Sequence, residues 1–161
     1  MEPIVDFVRS ASPKELENYE LKEWYPKGVK LPSNADRVYV EDLFGRAQLI
    51  TLAHLRSAIL KIPDQKVREL LLFVFSGILD RANITYFRNP LLKGGGRGGI
   101  MTTYRYWVPK QPVQRDVWDL FCIRARLVAN AKKKSNALFG DFVREGETFS
   151  VYCDSAENLH K

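Results

Sequence analysis

Histidine and cysteine are scarce in this chain, with two of each among 161 residues. Cys122 and Cys153 lie too far apart to seed a metal cluster. Two cysteines also make no disulfide framework, which fits a reducing cytoplasm. His54 falls inside a helical pattern among apolar neighbours, a structural or half-exposed position, and His160 stands at the end of the chain. Neither opens a metal-ligand spacing or a nucleophile–base arrangement, so no metal site and no catalytic constellation is expected. Long apolar runs are missing as well. The longest, Leu70 to Phe75, falls far short of the ~20 residues a membrane-spanning helix needs. Glu2 and Asp6 sit where a signal peptide would carry basic and apolar residues. These absences point to a soluble cytoplasmic protein, or a piece of one, with no membrane partner.

What remains is an apolar and basic chain. Hydrophobic residues make up 45% and aromatics 12%, enough for one domain with a core. The formal charge is +6, and it is unevenly placed. Between Tyr86 and Lys134 eleven basic residues face only Asp116 and Asp119, a local excess of +9. A concentrated basic segment fits a phosphate backbone, though excess lysine on a solvated face gives the same count.

Residues 1–41 read as a short helix and an extended segment. Ser12-Pro13-Lys14-Glu15 is a helix start, with a capping residue, proline at the first position and glutamate in the first turn. A long helix is expected from near Asp42 to Pro63, and a second follows Asp64 as its cap. Ile62-Pro63-Asp64 is a tight link, so the two pair antiparallel. Leu70 to Phe75 is apolar on every side, which predicts that the second helix is the one buried in the core. Gly77 within it permits close approach of a neighbour. A third helix is expected from Val113 to Lys133, with Arg124 on its apolar stripe. An arginine there either snorkels past the core or is held by a buried partner. The strand-favouring run at 100–108 and the segment 135–161 read as strands or hairpins. The expected fold is therefore α+β, with residues 42–134 as a helical basic module inside a single domain.

The glycine-rich tract at 93–99 follows a helix and precedes a strand-like run. A nucleotide phosphate loop needs the reverse order, with a helix N-terminus behind the glycines. The tract is then a flexible connector or an arm that orders on nucleic acid, with Lys93, Arg97 and Arg105 as candidate phosphate contacts. Lys132, Lys133 and Lys134 close the basic segment.

Taken in order, Trp24-Tyr25-Pro26, Leu43-Phe44 with Leu49, the glycine tract, Tyr106-Trp107-Val108-Pro109, Val117-Trp118 with Phe121 and Arg124, and Asp154-Ser155-Ala156 resemble the N-terminal half of the adenine-specific DNA methyltransferases (DNA methylases). The likeness runs over roughly residues 24–159. It implies that 135–161 opens a Rossmann-like catalytic domain, with Asp154 and Ser155 at the turn that contacts S-adenosylmethionine. It also makes Arg124 a candidate functional residue towards DNA. A catalytic Asp-Pro-Pro-Tyr is absent from the chain, so on this resemblance it is a truncated fragment, inactive alone, whose partners are DNA and the remainder of a methyltransferase. The other reading is a non-enzymatic nucleic-acid-binding or protein-interaction domain of methyltransferase ancestry.

Overall fold

Five α-helices carry the architecture of the computed structural model, which describes residues 1–88, 96–98 and 106–139. Helix α1 spans Glu2–Ser10 and α2 spans Pro13–Asn18. The Ser12 hydroxyl accepts from the Glu15 N–H, and the Glu15 carboxylate takes the Ser12 N–H at 2.7 Å, so α2 starts with the expected reciprocal cap. A 3-10 turn at Val40–Leu43 leads into α3, Arg46–Leu60. Helix α4, Gln65–Ser76, begins where Asp64 accepts from the Val67 N–H at 3.0 Å. The last helix, α5, runs Val117–Phe139. Asp116 caps it, accepting from the Asp119 N–H at 2.9 Å. The chain divides into two compact units, Met1–Leu127 and Val128–Lys161.

The α+β expectation is corrected: the described residues form a helical protein, and nothing among them resembles a Rossmann sheet. β-Structure is confined to an antiparallel ribbon of two three-residue strands, β1 at Tyr86–Arg88 and β2 at Gly96–Gly98, and an isolated bridge between Lys30 and Tyr39. Such a ribbon is too short to act as a layer over a core. Residues 135–139, expected to begin a strand, continue α5. The aromatic run at 106–108 shows why strand propensity misled. It is extended, but its backbone is held by one loop residue: the Asp36 N–H donates to the Tyr106 carbonyl at 3.3 Å, and the Val108 N–H donates to the Asp36 carboxylate at 2.8 Å. Strand-favouring side chains make a strand only where a neighbouring strand supplies the ladder.

The buried helix is α3, not α4. Eight of its residues are buried, among them Leu49, Ile50, Leu52, Ala53, Leu55 and Ile59, and it packs against α1, α2 and α4. Within α4 only Val74 is buried, while Val67, Leu70 and Phe73 lie exposed along one face. Continuous hydrophobicity marked α4 as the core helix. Helix α3 is instead the one that three other helices pack against, and close packing is what removes a helix from water.

The segment after α2 is strapped along α3 by polar contacts. Arg46 donates to the carbonyls of Leu16 and Tyr19. Farther along, the Tyr19 hydroxyl bonds His54 Nε2 at 2.7 Å, and His54 Nδ1 meets the Glu23 carboxylate at 3.1 Å. Arg56 covers the Trp24 ring at 4.2 Å.

Candidate anion-binding cleft

The turn that follows α4 is built on one buried amide. Asn83, fully buried, donates to the carbonyls of Leu79 and Asp80 at 2.8 and 2.9 Å, and its own oxygen accepts from the Thr85 N–H and hydroxyl. Ile84 N–H bonds the Leu43 carbonyl at 2.8 Å, which ties the turn to the 3-10 segment before α3. Residues 77–85 are thereby fixed, and they present Asp80 and Arg81 towards the first turns of α5.

Between this turn and α5 lies a cleft of about 630 Å³. Its floor is apolar, with Ile78, Leu79 and Leu120; its cations are Arg81, Arg115 and Arg124. Arg124 lies flat on Gly77. A Cβ added at that glycine would stand 3.1 Å from Arg124 Nε and 3.3 Å from Nη2, so Gly77 makes room for the guanidinium. This is the close approach expected of that glycine, and it occurs at the cap of α4 rather than within it. Of the two roles expected of Arg124, being held by a buried partner is not met at Nε, because that buried N–H has no hydrogen-bond partner. The carbonyl end of α4 offers a favourable field to a cation, but no acceptor is aligned with Nε. Arg115 is placed by a ring, its guanidinium lying 5.7 Å from the Tyr86 centroid.

No carboxylate among the described residues pairs with these three arginines. The two carboxylates of the basic segment are engaged elsewhere. Arg9 of α1 reaches Asp116 with Nε and Asp119 with Nη2, each at 2.8 Å. Burial pushes the Asp116 carboxyl upwards, but the hydrogen bonds from Arg9 and from the Asp119 N–H outweigh it and hold the group below the usual aspartate value.

The Glu23–His54–Tyr19 chain has the connectivity of a proton relay, and its chemistry argues against one. A carboxylate only accepts, so His54 donates from Nδ1 to Glu23 and accepts at Nε2 from the tyrosine hydroxyl. Burial, and then the charge of Glu23, push the Tyr19 hydroxyl above the ordinary tyrosine value. An activated nucleophile needs the opposite shift, so these residues form a clasp. No group of His, Cys, Asp and Glu able to hold a metal occurs among the described residues, and none of the described helices is long and apolar enough to cross a membrane.

Of the sequence-derived site residues, Arg124 lines the cleft. Lys132, Lys133 and Lys134 are exposed on α5. Arg97 contributes its backbone to β2, opposite Phe87. Lys93, Arg105, Asp154 and Ser155 lie outside the described residues. Arg81 and Gly77 were not among the candidates, nor was Arg115. Nothing in their spacing links them, because only the placing of the 77–85 turn beside the start of α5 brings positions 77, 81, 115 and 124 to one cleft. The chain matches no known protein family, no curated protein and no solved structure.

Proposed function

We propose that this chain is a DNA-facing helical module that works in the cytoplasm as part of an adenine-specific DNA methyltransferase-like protein. The observation that carries the nucleic-acid half of the reading is the Arg9 clamp. The carboxylates opposing the basic segment, Asp116 and Asp119, are both taken by Arg9. Lys110, Arg115, Arg124, Arg126 and Lys132 to Lys134 then have no ion-pair partner among the described residues. Cations left unneutralised within the fold are the ones that release counterions on meeting a phosphate backbone. The methyltransferase half rests on the motif order alone. In that reading Asp154 and Ser155 contact S-adenosylmethionine in the parent protein, Lys93, Arg97 and Arg105 add phosphate contacts, and the remainder of the methyltransferase packs against this module.

Duplex DNA binding measured by anisotropy over a salt series tests the first half. The affinity falls linearly on a double-logarithmic plot, and replacing Lys132, Lys133 and Lys134 together by alanine reduces the slope by about 2 to 3. Absence of binding at low salt, or binding indifferent to salt, overturns it. For the second half, the purified chain incubated with DNA and S-adenosylmethionine transfers no methyl group. Methylation by this chain alone would contradict the fragment reading. The alternative, a protein-interaction domain, is favoured by one observation, the exposed row Val67, Leu70 and Phe73 on α4.

A further inference from the structure

We infer that the cleft between the 77–85 turn and α5 is a nucleotide-binding site, in which the arginines take the phosphate and the apolar floor takes the sugar and base. Three guanidiniums on one cleft repel each other, and Asp80, the one carboxylate among the lining residues, makes no ion pair. Two of the three are positioned without any counter-charge: Arg124 by lying on Gly77 and Arg115 by lying over Tyr86. A guanidinium oriented without a counter-charge keeps the donors that remain accessible for an external partner, and such donors match phosphate oxygens. The buried, unpaired Nε of Arg124 adds a second sign. A buried donor without an acceptor is costly, and each such group in a native fold calls for an explanation, a functional role among them.

The size and lining of the cleft select among anions. At about 630 Å³ it falls within the range of small-molecule sites, far more than a bare phosphate fills. Ile78, Leu79, Leu120, Ile123 and Leu127 supply a surface that an inorganic ion cannot use. A ligand with a doubly charged phosphate and a flat, weakly polar body uses both. A free nucleoside monophosphate and the phosphorylated end of a nucleic-acid strand share that chemistry. The inference does not depend on duplex binding by the α5 lysines, and the two fail separately.

Isothermal titration of the full chain tests it with five probes: adenosine monophosphate, adenosine, inorganic phosphate, and a single-stranded oligonucleotide with and without a 5′-phosphate. The monophosphate binds at least tenfold more tightly than adenosine or inorganic phosphate, and Arg124→Gln lowers that affinity at least tenfold. Gly77→Ala is the second variant. Its backbone lies in the right-handed helical region, so alanine fits without strain, and the new methyl displaces the guanidinium alone. Gly77→Ala therefore weakens nucleotide binding severalfold with an unchanged or higher Tm. A 5′-phosphorylated oligonucleotide that competes with the monophosphate identifies a strand end as the source, and binding of the monophosphate alone identifies a free nucleotide; both support the site. Equal affinity for inorganic phosphate and the monophosphate overturns it. So does monophosphate binding that neither variant weakens, or no binding at all.

Discussion

Replacing Asn83 by alanine puts the organisation of the cleft to its most direct test. The side chain is fully buried and makes four hydrogen bonds, two donated to the Leu79 and Asp80 carbonyls and two accepted from Thr85. Alanine removes all four, and water cannot replace them without opening the turn. Thr85 is itself 1% exposed, so its N–H and hydroxyl both lose their acceptor in a dry setting. An unsatisfied buried donor costs about 1–3 kcal/mol, so the two together give a loss of roughly 2–6 kcal/mol, before any contribution from the carbonyls. With a urea m-value of about 2 kcal/mol/M, the unfolding midpoint falls by about 1–3 M. Chemical denaturation followed by far-UV circular dichroism measures the shift. The double variant Asn83→Ala with Thr85→Val costs less than the sum of the two single changes, because the second removes a hydroxyl the first has orphaned. A midpoint lowered by less than ~0.3 M at constant m would mean that the turn does not depend on this amide.

Other consequences are measurable on the same protein. Asp116 ionises more readily in the fold than in the unfolded chain, so its contribution is complete above the unfolded value of about 3.9 and is lost as pH falls through the lower folded value. Wild-type stability therefore declines on acidification below about pH 4 more steeply than that of Asp116→Asn, which keeps the cap but not the charge; parallel curves would remove the Arg9 pair from the account. Tyr19 is shifted upwards, so the stability it lends is full below about pH 10 and lost as pH rises through its higher folded value. An alkaline titration of phenolate absorbance shows a late-ionising step from Tyr19, and Tyr19→Phe abolishes that step. Ile50→Ala, in the buried helix α3, costs about 2–5 kcal/mol, whereas Phe73→Ala on the exposed face of α4 costs under about 1 kcal/mol. The reverse ranking would restore α4 as the core helix.

Elements whose physics is local are legible in the sequence. The Ser12–Glu15 box and the Asp64 cap each depend on residues within one turn of each other, and both are present. The same holds for the Ile62-Pro63-Asp64 break between α3 and α4. Helix α1 was missed, although Glu2 and Pro3 begin it with an acidic first turn and proline near its start. Its reason to exist is tertiary: Val5 is buried, and Arg9 reaches more than a hundred residues along the chain to Asp116. The misassigned core has a similar origin. Hydrophobicity alone favoured Leu70 to Phe75, and only the three helices gathered around α3 decide that Leu70 and Phe73 face water.

The cleft carries this distinction furthest. Arg124 stood out in the sequence because a cation on an apolar stripe breaks a local rule, and such breaks gather at functional positions. Gly77 stood out for a separate reason, its cost inside a helical pattern. Neither signal refers to the other, yet the two anomalies are one feature, since the glycine leaves the space that the guanidinium fills. Had Gly77 been alanine, the arginine would have been displaced; had Arg124 been leucine, no buried Nε would lack a partner. A fold selected for stability alone has an easy route to improvement at both positions, through a better helix former at 77 and an apolar side chain at 124. Both rule-breaking residues meet at the same wall of the same cleft, beside two further arginines that no carboxylate neutralises among the described residues. That coincidence ties both rule-breaking residues to the cleft, and it is the reason the nucleotide titration is run on variants at both positions.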